Sequence, residues 1–406
     1  EEDAKEKNDS KLALALQNFR ISNSNFIYDD QLSKTHLKLD NLEYDGIIDL
    51  SNDILSLNAT TEIKNTLFKL DKDIWVKNLP LKGKINTKIN INQLGFYFTD
   101  NPLILGGFPF NLQGSLKMPD TQQVYDLKII TKNADLKTIP AIIPEAYQNY
   151  AKQVETKGKT DILFTMKGIL DASKKQSPDI HIEANINNGF FNYQKSKSPI
   201  NNLSLTSLID IPALDANRLK VKVNELDFSL LNGYTRTNFV FENGSTLFSE
   251  GTIDSNVNLE ALKNATGYKK IDARGNLKLN GNWKGFISTS AKNKLQKVPL
   301  FDLKADLKDG YFKMREMPAA LDHISLDMTA HNTDGNFKNT AILIHHIDAK
   351  ALDNYAKGKI EVKNLNNYPI DADFTAKIHL QDIYKIYPVK GIDLRGDLFV
   401  KSKAVG

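Results

Sequence analysis

An internal repeat occupies the C-terminal half of this chain. Residues 178–285 and 299–406 align without a gap at a constant offset of 121 positions (299 − 178). Such a constant offset indicates that one supersecondary unit occurs twice in the chain. Repeated units bury their apolar faces by stacking end to end. The sequence therefore predicts a long array of units. Matching pairs include Pro178 and Pro299, Gly189 and Gly310, Phe191 and Phe312, and Arg274 and Arg395.

Within each copy, apolar and polar residues alternate with a period of two. Residues 180–186 read I-H-I-E-A-N-I, and residues 301–307 read F-D-L-K-A-D-L. This alternation is typical of antiparallel strands that bury one face. We expect an all-β, mainly antiparallel fold, in which a long, curled, repeat-built β-sheet or groove carries one short helix per unit.

Turn and helix signals divide the chain into segments. Asn-Gly and Asp-Gly pairs tolerate positive φ and favour tight hairpins, and short helices are expected at 258–267 and 379–388. The turn pairs are Asn188-Gly189, Asn232-Gly233, Asn243-Gly244, Asn280-Gly281 and Asp309-Gly310. The predicted segments are a charged tail at 1–11, an N-terminal β-rich partial unit at 12–80, a β unit with a longer helix (about 135–154) at 81–170, and repeat units at 178–285 and 299–406.

Composition excludes several classes of function. Lys and Arg total 53 against 49 Asp and Glu, and a net charge of +4 is too small to indicate a nucleic-acid partner. The sequence has no cysteine, so disulfides and thiolate metal sites are impossible. Hydrophobic residues make up 41%, which suits a folded chain. No apolar run is long enough for a transmembrane helix, and the sequence is expected to be a piece of a longer protein from which either a signal peptide or a membrane anchor was removed.

The few short helices cannot cover the apolar face of such a sheet. A second packed sheet, closure into a barrel, or a curled sheet holding an apolar ligand would each solve this problem. A membrane barrel is disfavoured, because its outward face is apolar whereas Asp302, Lys304 and Asp306 follow one another on the polar face. The candidate lipid-groove residues, on one alternating face, are Ile180, Ile182, Ala184, Ile186, Leu203, Leu205, Val221, Val223, Leu277, Leu279, Leu303, Ala305, Leu307, Ile324, Leu326, Ile342, Ile344 and Leu398.

Catalytic motifs are absent from the sequence. It lacks a G-x-S-x-G elbow, a P-loop, a G-x-G-x-x-G fingerprint and an H-E-x-x-H motif. His345 and His346 are adjacent, and neighbouring strand residues point to opposite faces, so a shared metal ion is not expected. The sequence predicts a protein that is not an enzyme and that uses no cofactor or metal.

Two further features each have two interpretations. Arg274 and Arg395 either contact lipid phosphates at a groove rim or pair with a local carboxylate such as Asp272 or Asp393. Residues 140–144, with a proline at each end, either form an amphipathic membrane contact or begin a helix that packs on the sheet edge.

Several segments resemble the AsmA-like family of bacterial envelope proteins. They are residues 19–30 (FRISNSNFIYDD), 85–116 and 135–144, together with the repeated opening P-x-x-x-[IL]-x-A-x-[IL]-x-[ND]-G-[FY]-F at 178–191 and 299–312. The resemblance covers roughly residues 12–406. It extends to the TamB and YhdP proteins and to bridge-like lipid transfer proteins built from repeating β-grooves.

The resemblance implies a location and a ligand. Such a protein lies in the periplasm of a Gram-negative bacterium, is anchored to the inner membrane, and binds or conducts phospholipid along an apolar β-groove. It contributes to outer-membrane biogenesis and lipid homeostasis, and outer-membrane assembly proteins are possible partners. Two alternatives stay open: a TamB-like structural scaffold that assembles outer-membrane proteins, and a repeat adhesin with a dry core.

Overall fold

The computed structural model describes residues 14–31, 34–51, 53–70, 72–119, 122–143, 145, 148–268, 270–289, 295–314, 317–367, 369–386 and 394–405. The predicted tail at 1–11 lies outside these residues.

The protein is all-β. Strands make up 74% of the structure and helices 10%. The strands of the described residues belong to one 21-stranded antiparallel sheet that does not close into a barrel, which confirms the predicted fold class. The strands are β1 (Leu14–Asp30), β2 (Thr35–Ser51), β3 (Ile54–Leu70), β4 (Asp73–Asn90), β5 (Gly95–Leu105), β6 (Phe108–Lys117), β7 (Gln123–Asp135), β8 (Val154–Leu170), β9 (Asp179–Tyr193), β10 (Ile200–Ile211), β11 (Lys220–Leu230), β12 (Gly233–Glu242), β13 (Leu247–Asn258), β14 (Ile271–Thr289), β15 (Leu295–Lys297), β16 (Leu300–Met314), β17 (Leu321–Asn332), β18 (Ala341–Ala351), β19 (Asn354–Val362), β20 (Ile370–His379) and β21 (Asp397–Val405). The helices are α1 (Ile139–Ile142), α2 (Gln148–Ala151), α3 (Leu259–Thr266) and α4 (Ile383–Ile386).

The strands recur at the interval of the sequence repeat. β9 begins at Asp179 and β16 at Leu300, which is 121 residues later (300 − 179). β10 and β17 follow the same offset at both ends, as do β11 and β18. The alternating pattern thus produces the same order of strands in both copies.

Three of the five predicted turns are not turns. Asn188-Gly189 lies inside β9, Asp309-Gly310 inside β16 and Asn280-Gly281 inside β14. Asn188 and Asp309 do adopt positive φ, both at 51°. In β16 the ladder to β17 shifts its register beside Gly310, because a left-handed residue within a strand produces a bulge and need not reverse the chain. The pairs at 232–233 and 243–244 do lie where one strand ends and the next begins.

The described residues of 135–154 do not form the single helix expected there. Two one-turn helices, α1 and α2, occupy this segment, and β8 begins at Val154. Ile143, directly after α1, is extended at φ −72° and ψ 133°. Ile143 precedes Pro144 in the sequence, and a residue before proline disfavours the helical conformation. Pro144 itself lies outside the described residues.

The helix expected at 258–267 is present as α3. The Asn258 side chain caps it by accepting a hydrogen bond from the Ala261 amide at 2.9 Å. Gly267 ends it in the left-handed conformation at φ 72°. In the second copy, a 3-10 turn at Leu380–Asp382 and α4 take the place of α3.

The described chain divides into two compact units. Unit 1 comprises the described residues of 1–152, 159–184 and 210–215, and unit 2 comprises those of 153–158, 185–209 and 216–406. In unit 1, successive strands from β1 to β8 pair in antiparallel ladders. In unit 2, β11 to β14 pair in the same way, and the ladder continues from β14 through β16 to β21.

Candidate functional site

The candidate site in unit 2 is a continuous apolar face. Residues directly opposite each other in a ladder share a face of the sheet, so the register identifies the members. Leu277 on β14 lies opposite Leu307 on β16, which in turn lies opposite Leu326 on β17. The unit 2 apolar face contains, from β14 to β21, Leu277, Leu279, Trp283, Phe301, Leu303, Ala305, Leu307, Leu326, Met328, Ala330, Ile342, Ile344, Ile347, Ile360, Val362, Ala372, Phe374, Ala376, Ile378, Leu398 and Val400.

This face is long enough for an extended acyl chain. It crosses seven strands, and six spacings of about 4.8 Å give a track of about 29 Å. One leaflet of a bilayer has a hydrocarbon thickness of about 15 Å, half of the full core. A lipid chain lying across the strands would therefore contact apolar side chains along its whole length.

The opposite face of the same strands is polar. On β16, Asp302, Lys304 and Asp306 alternate with the apolar residues. Lys284 on β14 pairs with Glu250 at 3.0 Å, and these two charges also lie on this side. The charged side chains lie on the face that the sequence predicts to be polar.

The predicted groove residues are half-buried. Of the 18 residues, 16 are half-buried, Val223 is buried at 6% exposure and Leu398 is exposed at 44%. A dry core would bury most such side chains against 6 to 12 neighbouring residues each. The eight half-buried residues that belong to the unit 2 apolar face therefore pack beside one another and keep part of their apolar surface open to an occupant.

A dry core does exist, but at a different place in unit 2. Leu230 and Ala265 have 0% exposure, and they pack with Ile200 and Ala261 beneath α3. Leu203 contacts this cluster, so the structure places this predicted groove residue under a helix. The cluster beneath α3 is therefore the covered part of the sheet in unit 2, and the unit 2 apolar face from β14 to β21 is the open part.

The remaining predicted residues fall on several strands. Ile324 lies opposite Gly310, and Val221 and Val223 lie opposite Phe241 and Phe239. On β9, Ile180, Ile182 and Ala184 belong to unit 1, whereas Ile186 belongs to unit 2, as does Leu205 on β10.

Sequence reasoning missed the corresponding face in unit 1. The buried residues on this face include Tyr44, Ile63 and Leu103. Phe110 lies opposite Leu103 in the ladder. The period-two alternation of β2 to β8 was sufficient to find them. The unit 1 apolar face contains Tyr28, Leu37, Leu39, Leu42, Tyr44, Leu57, Ala59, Ile63, Leu81, Ile85, Ile89, Phe96, Phe98, Leu103, Leu105, Phe108, Phe110, Leu112, Leu116, Tyr125, Leu127, Ile129, Ile162, Phe164 and Met166.

A buried asparagine holds the middle of unit 1 together. The register shifts between β4 and β5 and between β5 and β6, and Asn101 fills both irregularities. Its side chain accepts from the Asn86 amide at 2.7 Å and from the Thr87 hydroxyl at 3.1 Å. It donates to the carbonyl oxygens of Asn86 and Leu112, each at 3.2 Å. The amide group thus replaces the ladder hydrogen bonds that the bulges remove.

Arg274 forms a local ion pair. Its guanidinium lies 3.2 Å from Asp272 and 4.5 Å from the centre of the Tyr311 ring. Asp272 also binds Lys263, and the hydrogen bonds from Lys263 and then from Arg274 lower the pKa of the Asp272 carboxyl. The geometry matches the local-carboxylate interpretation. Asp393, the equivalent acid beside Arg395, lies outside the described residues.

The proline-flanked segment packs on the sheet. α1 lies against β4 and β6, the strands on either side of β5. Glu145, just after α1, pairs with Lys77 on β4. This position matches the interpretation as a helix at the sheet edge.

The two adjacent histidines lie on a bulge. The register of β18 against β19 shifts between Ile344 and Ile347, so His345 and His346 together separate two residues of the apolar face. Both are exposed. The expectation that they point to opposite faces is therefore wrong, because the bulge interrupts the alternation. Among the described residues, no group of three or more His, Cys, Asp or Glu side chains is arranged to hold a metal ion.

His181 in unit 1 lies between two carboxylates. Its Nδ1 lies 2.6 Å from Asp210 and its Nε2 3.2 Å from Glu183. The hydrogen bond to Asp210 is the main cause that raises the pKa of His181 above its ordinary value. The three side chains of this cluster are partly exposed.

No helix within the part of the chain that the structure describes is both long and apolar enough to cross a bilayer.

The chain was compared with protein-family models, curated proteins and solved structures. No family model, no curated protein and no solved structure matches the chain.

Proposed function

We propose that this protein binds phospholipid by its acyl chains along the apolar faces of its units, and that it is a lipid carrier or conduit and not an enzyme. The observation that supports this most strongly is the continuous unit 2 apolar face, on which eight of the predicted groove residues lie half-buried. Each CH₂ group removed from water contributes roughly 0.8 kcal/mol. A face without a dominant residue suits a ligand that is recognised by length and apolarity.

The resemblance to AsmA-like proteins suggests the setting. The proposed location is the periplasm of a Gram-negative bacterium, with the full-length protein anchored to the inner membrane. The proposed contribution is to outer-membrane biogenesis and lipid homeostasis. Charged residues on the opposite face, such as Asp302 and Lys304, are compatible with an aqueous compartment.

Native mass spectrometry of the protein purified from a bacterial periplasm tests the proposal. We expect co-purified phospholipid, and Ile344→Asp should lower its amount in part, because a carboxylate on the unit 2 apolar face opposes acyl chains while the unit 1 face is unchanged. His345→Asp is the matched control, since His345 is exposed at the adjacent position, and it should leave the amount unchanged.

The contrary result is equally specific. A wild-type protein that carries no phospholipid would contradict the proposal. If cross-linking then captured β-barrel proteins in its place, the scaffold alternative would be favoured.

A further inference from the structure

A polar contact joins two corners of the unit 1 sheet. β1 and β7 are separated in the ladder by five strands, which would place them about 29 Å apart in a flat sheet. Yet the Gln123 side-chain amide on β7 donates to the Asp30 carboxylate on β1 at 2.8 Å. The Tyr28 hydroxyl lies 3.6 Å from the sulfur of Met118, the residue directly after β6. The sheet of unit 1 must therefore twist and coil until these corners meet.

The contacting side chains project from the apolar face. Tyr28 lies opposite Leu37, and Tyr125 lies opposite Leu116. Asp30 is two residues after Tyr28, and Gln123 is two residues before Tyr125, so each shares the face of its neighbour. A group of polar side chains thus spans the unit 1 apolar face at one corner.

These side chains hold one another in place. The Tyr125 hydroxyl donates to the Gln123 side-chain oxygen, and the Tyr28 hydroxyl lies 3.4 Å from the Asp30 carboxylate. Gln123 is 7% exposed. Burial, followed by the charges of Tyr28 and Asp30, raises the pKa of Tyr125 to about 12. The phenol therefore stays neutral and able to donate at any physiological pH.

A polar closure differs physically from an apolar one. When polar groups separate, their hydrogen bonds to each other are replaced by hydrogen bonds to water, with a small net change in free energy. An apolar contact of the same area costs more free energy to separate, because its apolar surface becomes exposed to water. Phe26, on the same face of β1 as Tyr28, is 47% exposed, so an acyl chain that arrives at this corner would contact its ring directly.

We propose that Tyr28, Asp30, Gln123 and Tyr125 form a latch that closes this corner of the unit 1 apolar face, and that an acyl chain enters or leaves the face there when the latch opens. The inference rests on the proposed function, because it assigns an entry point to the same lipid-binding face. The latch determines how fast lipid exchanges, and it leaves the apolar surface that holds the lipid unchanged.

A reversible cross-link tests the latch. The chain has no cysteine, so Asp30→Cys combined with Gln123→Cys gives one defined pair. A short bis-methanethiosulfonate reagent would join the two thiols, and reductant would release them. We expect the cross-link to slow exchange of nitrobenzoxadiazole-labelled phosphatidylethanolamine with phosphatidylcholine vesicles about tenfold, and reductant to restore the rate.

The control pair is His36→Cys with Lys69→Cys, which are directly opposite on the other face of β2 and β3. Its cross-link should leave the exchange rate unchanged. An equal rate in the cross-linked and reduced latch variant, or an equal slowing in the control, would overturn the latch while lipid binding stands. If the wild-type protein takes up no labelled lipid, the proposed function itself fails.

Discussion

At the scale of single residues, buried asparagine side chains satisfy backbone groups where the regular strand pairing is interrupted or ends. Asn101 is 2% exposed and satisfies backbone groups on two neighbouring strands. Asn332, at 1% exposure in unit 2, similarly binds the loop amide of Gly335 at 2.7 Å and the Asn336 carbonyl at 2.8 Å. Such residues carry no ligand chemistry. They fix the irregular positions from which the regular apolar rows extend.

Asn101→Ala should lower the free energy of unfolding of unit 1 by about 2–4 kcal/mol, because it leaves several buried backbone groups without a hydrogen bond. Urea denaturation followed by circular dichroism measures the change. Asn92→Ala is the matched control, since Asn92 is an exposed turn residue of the same unit, and its effect should stay within about 0.5 kcal/mol. Equal effects of the two substitutions would show that Asn101 does not hold the bulges.

Residues of this kind escape a sequence-based prediction. The structural role of Asn101 depends on two register shifts, one between β4 and β5 and one between β5 and β6. Nothing local in the sequence marks these shifts. The latch depends on contacts such as that between Asp30 and Gln123, 93 residues apart, which exist only because the sheet coils.

At the scale of secondary-structure elements, the sequence predicted the strands well because alternation is a local property. The apolar residues of β14 and β16, from Leu277 to Leu307, lie on the predicted face. The turn signals misled at 188–189, 280–281 and 309–310, since Asn-Gly and Asp-Gly serve bulges and close strand contacts as well as hairpins. A Cβ on Gly281 would lie 2.4 Å from the Asp302 carbonyl oxygen, so glycine is required there within a strand.

The helix α3 shows where a covered core replaces the open face. Leu230→Ala should cost about 2–5 kcal/mol of stability, because it leaves a cavity beneath the helix. Leu231→Ala provides the control, since Leu231 is 57% exposed at the next position. Thermal or urea unfolding of unit 2 measures both. If the two variants unfold alike, the cluster beneath α3 is not the core of this unit.

At the scale of the whole molecule, the repeat multiplies the alternating apolar surface of the strands. The second copy preserves the strands of the first, while its helix is reduced to a 3-10 turn and α4. The dry core beneath α3 depends on Leu230, and the equivalent residue in the second copy is Ala351. What both copies retain is the alternating face, and we infer that this face is the property for which the unit was repeated.

The most direct measurement is photo-cross-linking along β16. Benzoylphenylalanine would replace Leu303 or Ala305 on the apolar face, and Asp302 or Lys304 on the polar face, in a protein expressed in a bacterial periplasm. Mass spectrometry of the adducts then reports which positions contact phospholipid. We predict adducts at 303 and 305 and none at 302 and 304. Adducts at all four positions, or at none, would contradict the claim that the apolar face binds lipid.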